Sequence, residues 1–392
     1  MERQITLGDV IAPAKVLRCD NDDYPVLSMT MHDGIVLQSN RFKKSLVSID
    51  QSNYKVVLRG QLVVGFPIDE GVIYVQNIAE AGIMSPAYGV WNIHSKEIMP
   101  EYLELCLHSP QSMDYYKNKL RGTTARRRSI TTGDLLALPI ILPSLTEQKR
   151  RIGLFRQTTL LLNSQKQAML KFDELVKSRF IELFDNTTYD SNKVYLDEIS
   201  DFVTVGIANS ATHAYAESGV VMLRNQNIKE NYLDENDLIY ITPDFAKKYG
   251  SKKLVENDIL VIRTGYPGIA CLVPKKYEGC QTFTTLIVRL KAPTLAHANY
   301  VCHYINSSFG KDYVEQSKVG VAQQNFGAKA LARMPILIPP MEIQEQFAAF
   351  VAEVDKSKFL IQKSLAISRM LWTLSKTDDI INVDFYAKES LI

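Results

Sequence analysis

Two long segments of the chain carry apolar residues at steps of three and four, the spacing that places them on one face of a helix. The first segment runs from Ser144 to about Phe184 without a proline, and the second runs from Met341 to about Lys376. At 1.5 Å per residue, the first helix has a predicted length of about 60 Å. The apolar positions are Ile152, Phe155, Leu162, Met169, Val176, Phe180 and Leu183 in the first segment, and Phe347, Val351, Val354, Ile361, Leu365 and Trp372 in the second.

The two apolar faces are of similar length, which bears on what each helix packs against. Ser144 and Glu147 have capping-box spacing, in which the hydroxyl and the carboxylate satisfy free backbone donors at a helix start. Each face alone is compatible with packing on its own domain. Because the faces match in length, we favour an antiparallel pair of helices that holds two globular bodies at a fixed distance.

The sequence also contains an internal repeat: segments of the first half align with segments about 196 to 198 residues further along the chain. LPIILPSLTEQ from Leu138 aligns with MPILIPPMEIQ from Met334, so that prolines and a glutamine coincide. A segment from Tyr102 aligns with one from Tyr300, and its apolar spacing predicts a helix. The β-branched run after Leu58 aligns with the run after Val255 and predicts a strand.

Each copy therefore has a strand-rich body, a short helix, a polar loop, a proline-punctuated segment and a long helix. The predicted bounds are a first body at 1–143, a central helix at 144–185, a second body at 186–339, a C-terminal helix at 340–376 and a tail at 377–392.

Composition adds limits to this picture. A chain of 392 residues with 46% apolar and 22% charged residues is typical of a globular protein with about two domains. The net charge of +2 is too small to indicate nucleic acid, so the local distribution of charge must decide. Glu2, Arg3 and Asp9 argue against a signal peptide, and we expect a cytoplasmic protein without a membrane span. The cysteines form no C-x-x-C pair and are expected to be reduced core residues: Cys19, Cys106, Cys271, Cys280 and Cys302.

The loop before the first proline segment is the most basic stretch. Between residues 117 and 128 it has six cations and no acid. Such a loop can neutralise phosphates, and arginine can also bind guanine through O6 and N7. The candidate residues are Lys117, Lys119, Arg121, Thr123, Thr124, Arg126, Arg127 and Arg128. The equivalent loop of the second copy is rich in amides, which suit adenine edges, and contributes Lys318, Gln323, Gln324 and Asn325.

Two further surfaces are candidates. Arg263, Thr264 and Tyr266 follow a strand and surround a glycine, so this tip can approach a backbone or stack on a base; Val64-Gly65-Phe66 is its counterpart in the first copy. Arg224 and Asn225 follow another β-branched stretch. Each of these surfaces is also compatible with a strand end that packs on its own sheet, and each loop with an exposed polar connection.

Catalytic motifs are not found in the sequence. The single Pro-Pro, Pro339-Pro340, lacks the preceding amide and following aromatic residue of a DNA methyltransferase, and there is no Walker loop, H-E-x-x-H or G-x-S-x-G. Asp134 with Glu147-Gln148-Lys149 formally resembles a nuclease motif, but Glu147 already has a capping role. The alternatives are a stand-alone site-specific endonuclease or methyltransferase with a fused reader, and a protein-binding helical adaptor, against which the basic loop argues.

These motifs together resemble the specificity subunit of type I restriction-modification systems over essentially the whole chain. The resemblance is carried by the duplicated Pro-Ile-x-hydrophobic-Pro-x-x-x-x-Gln element, by the Gly-Thr-Thr loop at Gly122 with its counterpart from Val319, and by Val-Ile-Arg-Thr-Gly from Val261. It implies an α+β fold with two similar strand-rich target recognition domains, separated by two long antiparallel conserved helices that form a coiled-coil-like spacer. The bodies differ strongly between the copies, as expected if they read different half-sites.

The resemblance also implies partners. Each body would read one half of a split target in double-stranded DNA, while the helices set the gap and dock two modification (methyltransferase) subunits. Adenine methylation and ATP-dependent cleavage would then reside in modification and restriction subunits. S-adenosylmethionine, ATP and magnesium would be used by those partners, and this chain itself would bind no cofactor and no metal.

Overall fold

The computed structural model describes residues 2–19, 24–31, 33–41, 52–121, 128–184, 193–208, 212–291, 295–318 and 325–374. The chain divides into two compact units, of which the first is Met1–Gln167 with Gln362–Ile392 and the second is Ala168–Ile361. Each long helix contributes residues to both units. The bounds predicted for two bodies, two helices and a tail stay predictions, and the tail at 377–392 lies outside the described residues.

The first unit is built on a four-stranded antiparallel sheet in the order β2-β9-β6-β7, with smaller pairs β1-β10, β3-β4 and β5-β8. Its strands are β1 (Arg3–Thr6), β2 (Ile11–Pro13), β3 (Leu27–Met29), β4 (Ile35–Leu37), β5 (Lys55–Leu58), β6 (Leu62–Val64), β7 (Ile73–Val75), β8 (Ala81–Met84), β9 (Gly89–Ile93) and β10 (Pro139–Leu142). Its helices are α1 (Gln38–Arg41), α2 (Pro100–Leu107), α3 (Pro110–Lys119), α4 (Thr132–Leu136) and the start of α5 (Leu145–Phe184).

The second unit has an antiparallel sheet in the order β12-β21-β18-β19, a second sheet in the order β13-β17-β14-β20, and the pairs β11-β22 and β15-β16. Its strands are β11 (Lys193–Tyr195), β12 (Ser200–Val205), β13 (Tyr215–Ala216), β14 (Val220–Leu223), β15 (Ile228–Lys229), β16 (Tyr232–Leu233), β17 (Ile239–Ile241), β18 (Ile259–Val261), β19 (Ala270–Leu272), β20 (Gln281–Thr282), β21 (Leu286–Leu290) and β22 (Pro335–Leu337). Its helices are α6 (Pro243–Lys248), α7 (Ala298–Asn306), α8 (Ser308–Ser317), α9 (Ala328–Ala332) and most of α10 (Met341–Leu374).

The sheets β2-β9-β6-β7 and β12-β21-β18-β19 are each covered on both faces, which explains the unbroken apolar runs in their strands. Successive residues of a strand point to opposite faces. Leu62 packs in a cluster with Leu103 of α2, whereas Val63 packs on the other side against residues of β3, β5 and β8. Ile259 and Leu260 of β18 are divided between two clusters in the same way. The strands predicted after Leu58 and Val255 are therefore confirmed as central strands.

The sequence predicts one helix for the segment from Tyr102. This prediction is wrong in one respect, because the structure has two helices there, α2 and α3. Ser109 begins the second one: its hydroxyl accepts a hydrogen bond from the backbone N–H of Ser112, and Pro110 occupies the first helical position. Ser307 caps α8 in the second unit through the N–H of Gly310. The capping serine has an extended backbone, so the preceding helix ends there. Its hydroxyl then accepts from a free backbone donor of the next helix.

A buried glutamine explains the Pro-x-x-x-x-Gln pattern that occurs once in each unit, and Gln148 is its copy in the first unit. Gln148 has no exposed surface. Its Oε1 accepts from the N–H of Met99 at 2.8 Å, and its Nε2 donates to the carbonyls of Glu97 at 2.7 Å and Pro143 at 3.0 Å. One side chain therefore joins the start of α2, the end of β10 and the start of α5.

Gln344 makes the equivalent contacts in the second unit. Its Oε1 accepts from the N–H of His297 at 2.8 Å, and its Nε2 donates to the carbonyls of Leu295 at 3.3 Å and Pro339 at 2.8 Å. Two tyrosine contacts recur as well. Tyr102 and Tyr300 donate to the carbonyls of Ile141 and Leu337, and Tyr115 and Tyr313 donate to those of Asp134 and Ala330.

Helices α5 and α10 contact each other in antiparallel orientation within each unit. In the first unit the indole N–H of Trp372 donates to Oγ1 of Thr159 at 3.0 Å, and Gln165 donates to Ser364 at 2.7 Å. In the second unit Lys358 pairs with Asp173 at 2.6 Å and Phe184 packs on Phe347. The predicted helical segments are confirmed, and so is burial of Ile152, Leu162, Val176, Phe180, Phe347, Val351, Val354 and Leu365.

The predicted capping box at the start of α5 is half formed. The N–H of Glu147 donates to Oγ of Ser144 at 3.3 Å. The Glu147 carboxylate accepts from Arg150 and Arg151 instead, and these hydrogen bonds lower its pKa to about 2.

We predict that Gln148→Leu lowers the free energy of unfolding by about 2–4 kcal/mol, because an apolar side chain leaves three backbone groups without a partner. Urea unfolding of the full chain measures the loss. Gln157→Leu, at an exposed position of the same helix, is the control and should change stability little. Equal effects of the two substitutions would contradict the role of the buried amide.

The second unit also buries a histidine. His303 stacks on Phe180 and contacts Phe347 edge-on, and burial lowers its pKa to about 4. Glu230 opposes this shift and Lys358 adds to it. Because the unfolded chain binds this proton at a higher pH than the folded chain, stability should fall as the pH drops from about 6.5 towards 4.

We predict that the wild-type chain loses about 1–2 kcal/mol more stability between pH 7 and pH 5 than His303→Phe does. The comparison is urea unfolding of both chains at the two pH values. His94→Gln changes an exposed histidine and should behave as the wild type. A parallel loss in wild type and His303→Phe would exclude His303 as the cause.

Candidate nucleic-acid interface

The structure brings three separately predicted segments of the second unit together. Asn225 donates through Nδ2 to the backbone carbonyl and hydroxyl of Thr264 at 3.3 and 3.4 Å. Thr264 in turn pairs with Asn325 through an antiparallel backbone bridge. We call this group, Arg224, Asn225, Arg263, Thr264, Tyr266 and Asn325, the amide-arginine cluster.

Arg263 lies at the centre of the amide-arginine cluster. Its Nε donates to Oδ1 of Asn325 at 3.0 Å, and its carbonyl accepts from the N–H of Phe326 at 2.9 Å. Phe326 has no exposed surface and packs edge-on against Tyr313. The buried phenylalanine therefore anchors the polar residue before it against the end of β18.

Tyr266 is the most exposed part of the cluster, with 81% of its surface accessible. It lies in the loop between β18 and β19, which the backbone bond from Gly268 to Ile262 closes. Gly268 has φ +95°, and a Cβ there would lie 2.8 Å from methyl carbons of Val314. Only glycine fits this close approach, which holds the loop against α8 while the aromatic ring faces solvent.

Arg224 and Asn225 are positioned by a short 3-10 turn, Asn225–Asn227, after β14. The side chain of Asn227 is fully buried; it accepts from the N–H of Arg224 and donates to the carbonyls of Asp234 and Asn236. Nη2 of Arg224 donates to the carbonyl of Asp237. Among the described residues, Oδ1 of Asn225 and Nε of Arg224 are buried without a hydrogen-bond partner.

The basic loop of the first unit has a closed base. Arg121 and Ser129 form an antiparallel bridge, with the Arg121 N–H donating to the Ser129 carbonyl at 2.8 Å. Thr123, Thr124, Arg126 and Arg127 lie outside the described residues, as do Gln323 and Gln324 of the second loop.

The fold brings acids to the described cations of this loop. Nη1 of Arg128 lies 2.6 Å from Oδ2 of Asp69, and its Nη2 lies 3.1 Å from Glu70. Lys119 lies 3.7 Å from Asp134, whose pKa is lowered, chiefly by the Thr131 hydroxyl and less by Lys119. Sequence reasoning missed these partners, because Asp69 and Glu70 are almost sixty residues away along the chain.

Two further described candidates, Lys117 and Lys318, also pair with acids. Lys117 lies 3.7 Å from Asp114, and Lys318 pairs with Glu315. The acid of each pair is exposed to solvent, so the pair competes little with phosphate. The assignment of all these residues to DNA binding stays a prediction.

Within the described ranges, no group of three or more histidine, cysteine, aspartate or glutamate side chains is arranged to hold a metal. None of the helices in those ranges is long and apolar enough to cross a membrane.

Comparison with known proteins gives one family match. Residues 188–367 match the model of the type I restriction modification DNA specificity domain. A search of curated proteins found no match.

Solved structures resemble nearly the whole chain. One such chain comes from a study of the structural basis of complex assembly and conformational transition of the type I R-M system. It is 16% identical, with a TM-score of 0.60 over 97% of this chain and 98% of that one. The type I restriction-modification system S subunit from M. genitalium is 11% identical, with a TM-score of 0.54 over 96% of each chain. At these identities the likeness establishes the fold.

Sequence, fold and family model agree: residues 188–367 match the type I restriction modification DNA specificity domain, and the resemblance to type I specificity subunits that the sequence predicts is confirmed.

Proposed function

We propose that this chain is the DNA-reading subunit of a type I restriction-modification complex, with one target recognition domain in each unit. The domain at 1–143 would read one half of a split target and the domain at 186–339 the other. Two readers in one chain gain specificity because both half-sites must be present at a defined separation.

The observation that carries this proposal is the recurrence of the same buried polar contacts in the two units. The family model matches only residues 188–367. Gln148 and Gln344 each join equivalent segments, and Tyr102 and Tyr300 bond equivalent carbonyls. A shared framework of this kind supports extending the specificity-domain assignment to the first unit.

The long helices would set the gap between the half-sites and dock two modification subunits. The contacts of α5 with α10 in each unit support a paired, coiled-coil-like spacer. Exposed apolar side chains on the two helices, among them Leu160 at 70% and Leu360 at 66%, are available for partner subunits.

Catalysis would belong to partner subunits in the cytoplasm, where the complex meets double-stranded DNA. Methylation of adenine would use S-adenosylmethionine, and restriction subunits would use ATP and magnesium. In this chain, the two acids of the nuclease alternative already have partners: Asp134 bonds Thr131, and Glu147 bonds Arg150 and Arg151.

We predict that a split adenine-methylation motif is present in the genome of cells carrying this chain with its modification subunit, and disappears when only this chain is deleted. Genome-wide detection of methylated adenine measures it. Restoring the chain from a plasmid is the control. A map that stays unchanged, together with no binding of the purified assembly to random DNA, would refute the proposal.

A second prediction concerns the gap. Paired deletion of residues 160–166 and 365–371, which face each other on α5 and α10, removes seven residues from each helix and nearly preserves the face that each presents. We expect the same bases in both half-sites with a different gap, because the readers themselves are unchanged. Altered half-site bases in the methylation map would contradict a spacer role.

A further inference from the structure

We propose that Arg263 reads a guanine in the half-site bound by the second unit, and that Asn325 is a positioning residue that holds the Arg263 guanidinium for this contact. The inference rests on the proposed DNA-reading function and names the base that one side chain of the amide-arginine cluster recognises.

Arg263 keeps its charge for a ligand. No acidic side chain lies within ion-pair distance of it among the residues whose structure is described. Other arginines near strand ends differ in this respect: Arg128 pairs with Asp69 and Glu70, Arg289 with the buried Asp258, and Arg333 with Asp197. An arginine that the fold leaves without an anion is suited to one supplied from outside, or to the acceptor edge of a base.

The hydrogen bond to Asn325 selects which edge of the guanidinium remains available. Nε is occupied by Oδ1 of Asn325 at 3.0 Å, whereas no described residue accepts from Nη1 or Nη2. These two groups form the planar fork that matches O6 and N7 of guanine in the major groove. Adenine and thymine do not present two adjacent acceptors on that edge.

The fork is also ordered before DNA binds. The Thr264–Asn325 bridge and the bond from Phe326 N–H to the Arg263 carbonyl fix both backbones, and Phe326 is completely buried. Fixing the side chain in advance lowers the entropy that binding would otherwise cost. Gly265, two residues after Arg263, is exposed and carries no side chain that would block a base edge.

The first unit has the opposite arrangement at the corresponding place. There the residue that follows the loop is Arg128, whose carbonyl accepts from the N–H of Ile68, and two acids of the turn after β6, Asp69 and Glu70, neutralise it. In the second unit the arginine is on the strand end and the loop supplies an amide. This exchange predicts that the two half-sites differ at the positions read here.

The test uses the assembled complex and a duplex that carries the motif from the methylation map. Each guanine of the motif is replaced in turn by 7-deazaguanine, which lacks the N7 acceptor. For one guanine, we expect the substitution to weaken wild-type binding about tenfold, and Arg263→Lys to weaken binding to the unmodified duplex by a similar factor. The two changes together should cost little more than either alone, because both remove the same contact.

Lysine preserves the charge but not the fork, so it separates base reading from phosphate binding. Arg333→Lys is the matched control and should leave every position unchanged. Asn325→Ala should weaken discrimination at the same guanine alone. A purely structural role of Asn325 would lower binding to all duplexes equally.

Several results would overturn the inference while the proposed function stands. They are a motif without guanine, additive effects of Arg263→Lys and 7-deazaguanine at every position, or a uniform loss of affinity for all sequences with a smaller salt dependence, which indicates a phosphate contact. A wild-type complex that directs no motif at all would refute the proposed function and the inference together.

Discussion

The buried glutamine amide is the interaction on which the rest of each unit depends. Gln148 satisfies three backbone groups from segments almost fifty residues apart, and Gln344 does the same in the second unit. A fully buried amide is tolerated only when each of its polar atoms has a partner. The glutamine therefore fixes where the long helix begins relative to the short helix and the proline segment.

From this fixed point, each unit has one invariant part and one variable part. The antiparallel sheet β2-β9-β6-β7 of the first unit has the same strand order as β12-β21-β18-β19 of the second. The helices around the glutamine make equivalent hydrogen bonds within each unit. The remaining strands differ: the first unit has the pairs β3-β4 and β5-β8, whereas the second has a separate four-stranded sheet. A common frame with different insertions suits a protein whose halves read different sequences, because a frame can stay rigid while loops change.

The candidate interface follows the same division. In both units the segment before α4 or α9 makes a backbone hydrogen bond to residues that follow a central strand. Ile68 bonds Arg128 in the first unit, and Phe326 bonds Arg263 in the second. The side chains differ between the units: acids face an arginine in the first, and an amide supports an arginine in the second. Equivalent positions consequently present different hydrogen-bonding groups to a ligand.

The sequence by itself determined the long helices, the repeat and the central strands, because all three are written in local spacing: apolar steps of three and four, a repeated Pro-x-x-x-x-Gln, and β-branched runs. It also indicated Arg224, Asn225, Arg263, Thr264 and Tyr266 as separate candidates. Only the tertiary structure decided that Asn225, Arg263 and Asn325 form one cluster, and that Arg128 is neutralised by Asp69 and Glu70. Ion pairs and hydrogen bonds between residues sixty or a hundred positions apart depend on how strands and loops are folded together, and no local pattern of the chain records that.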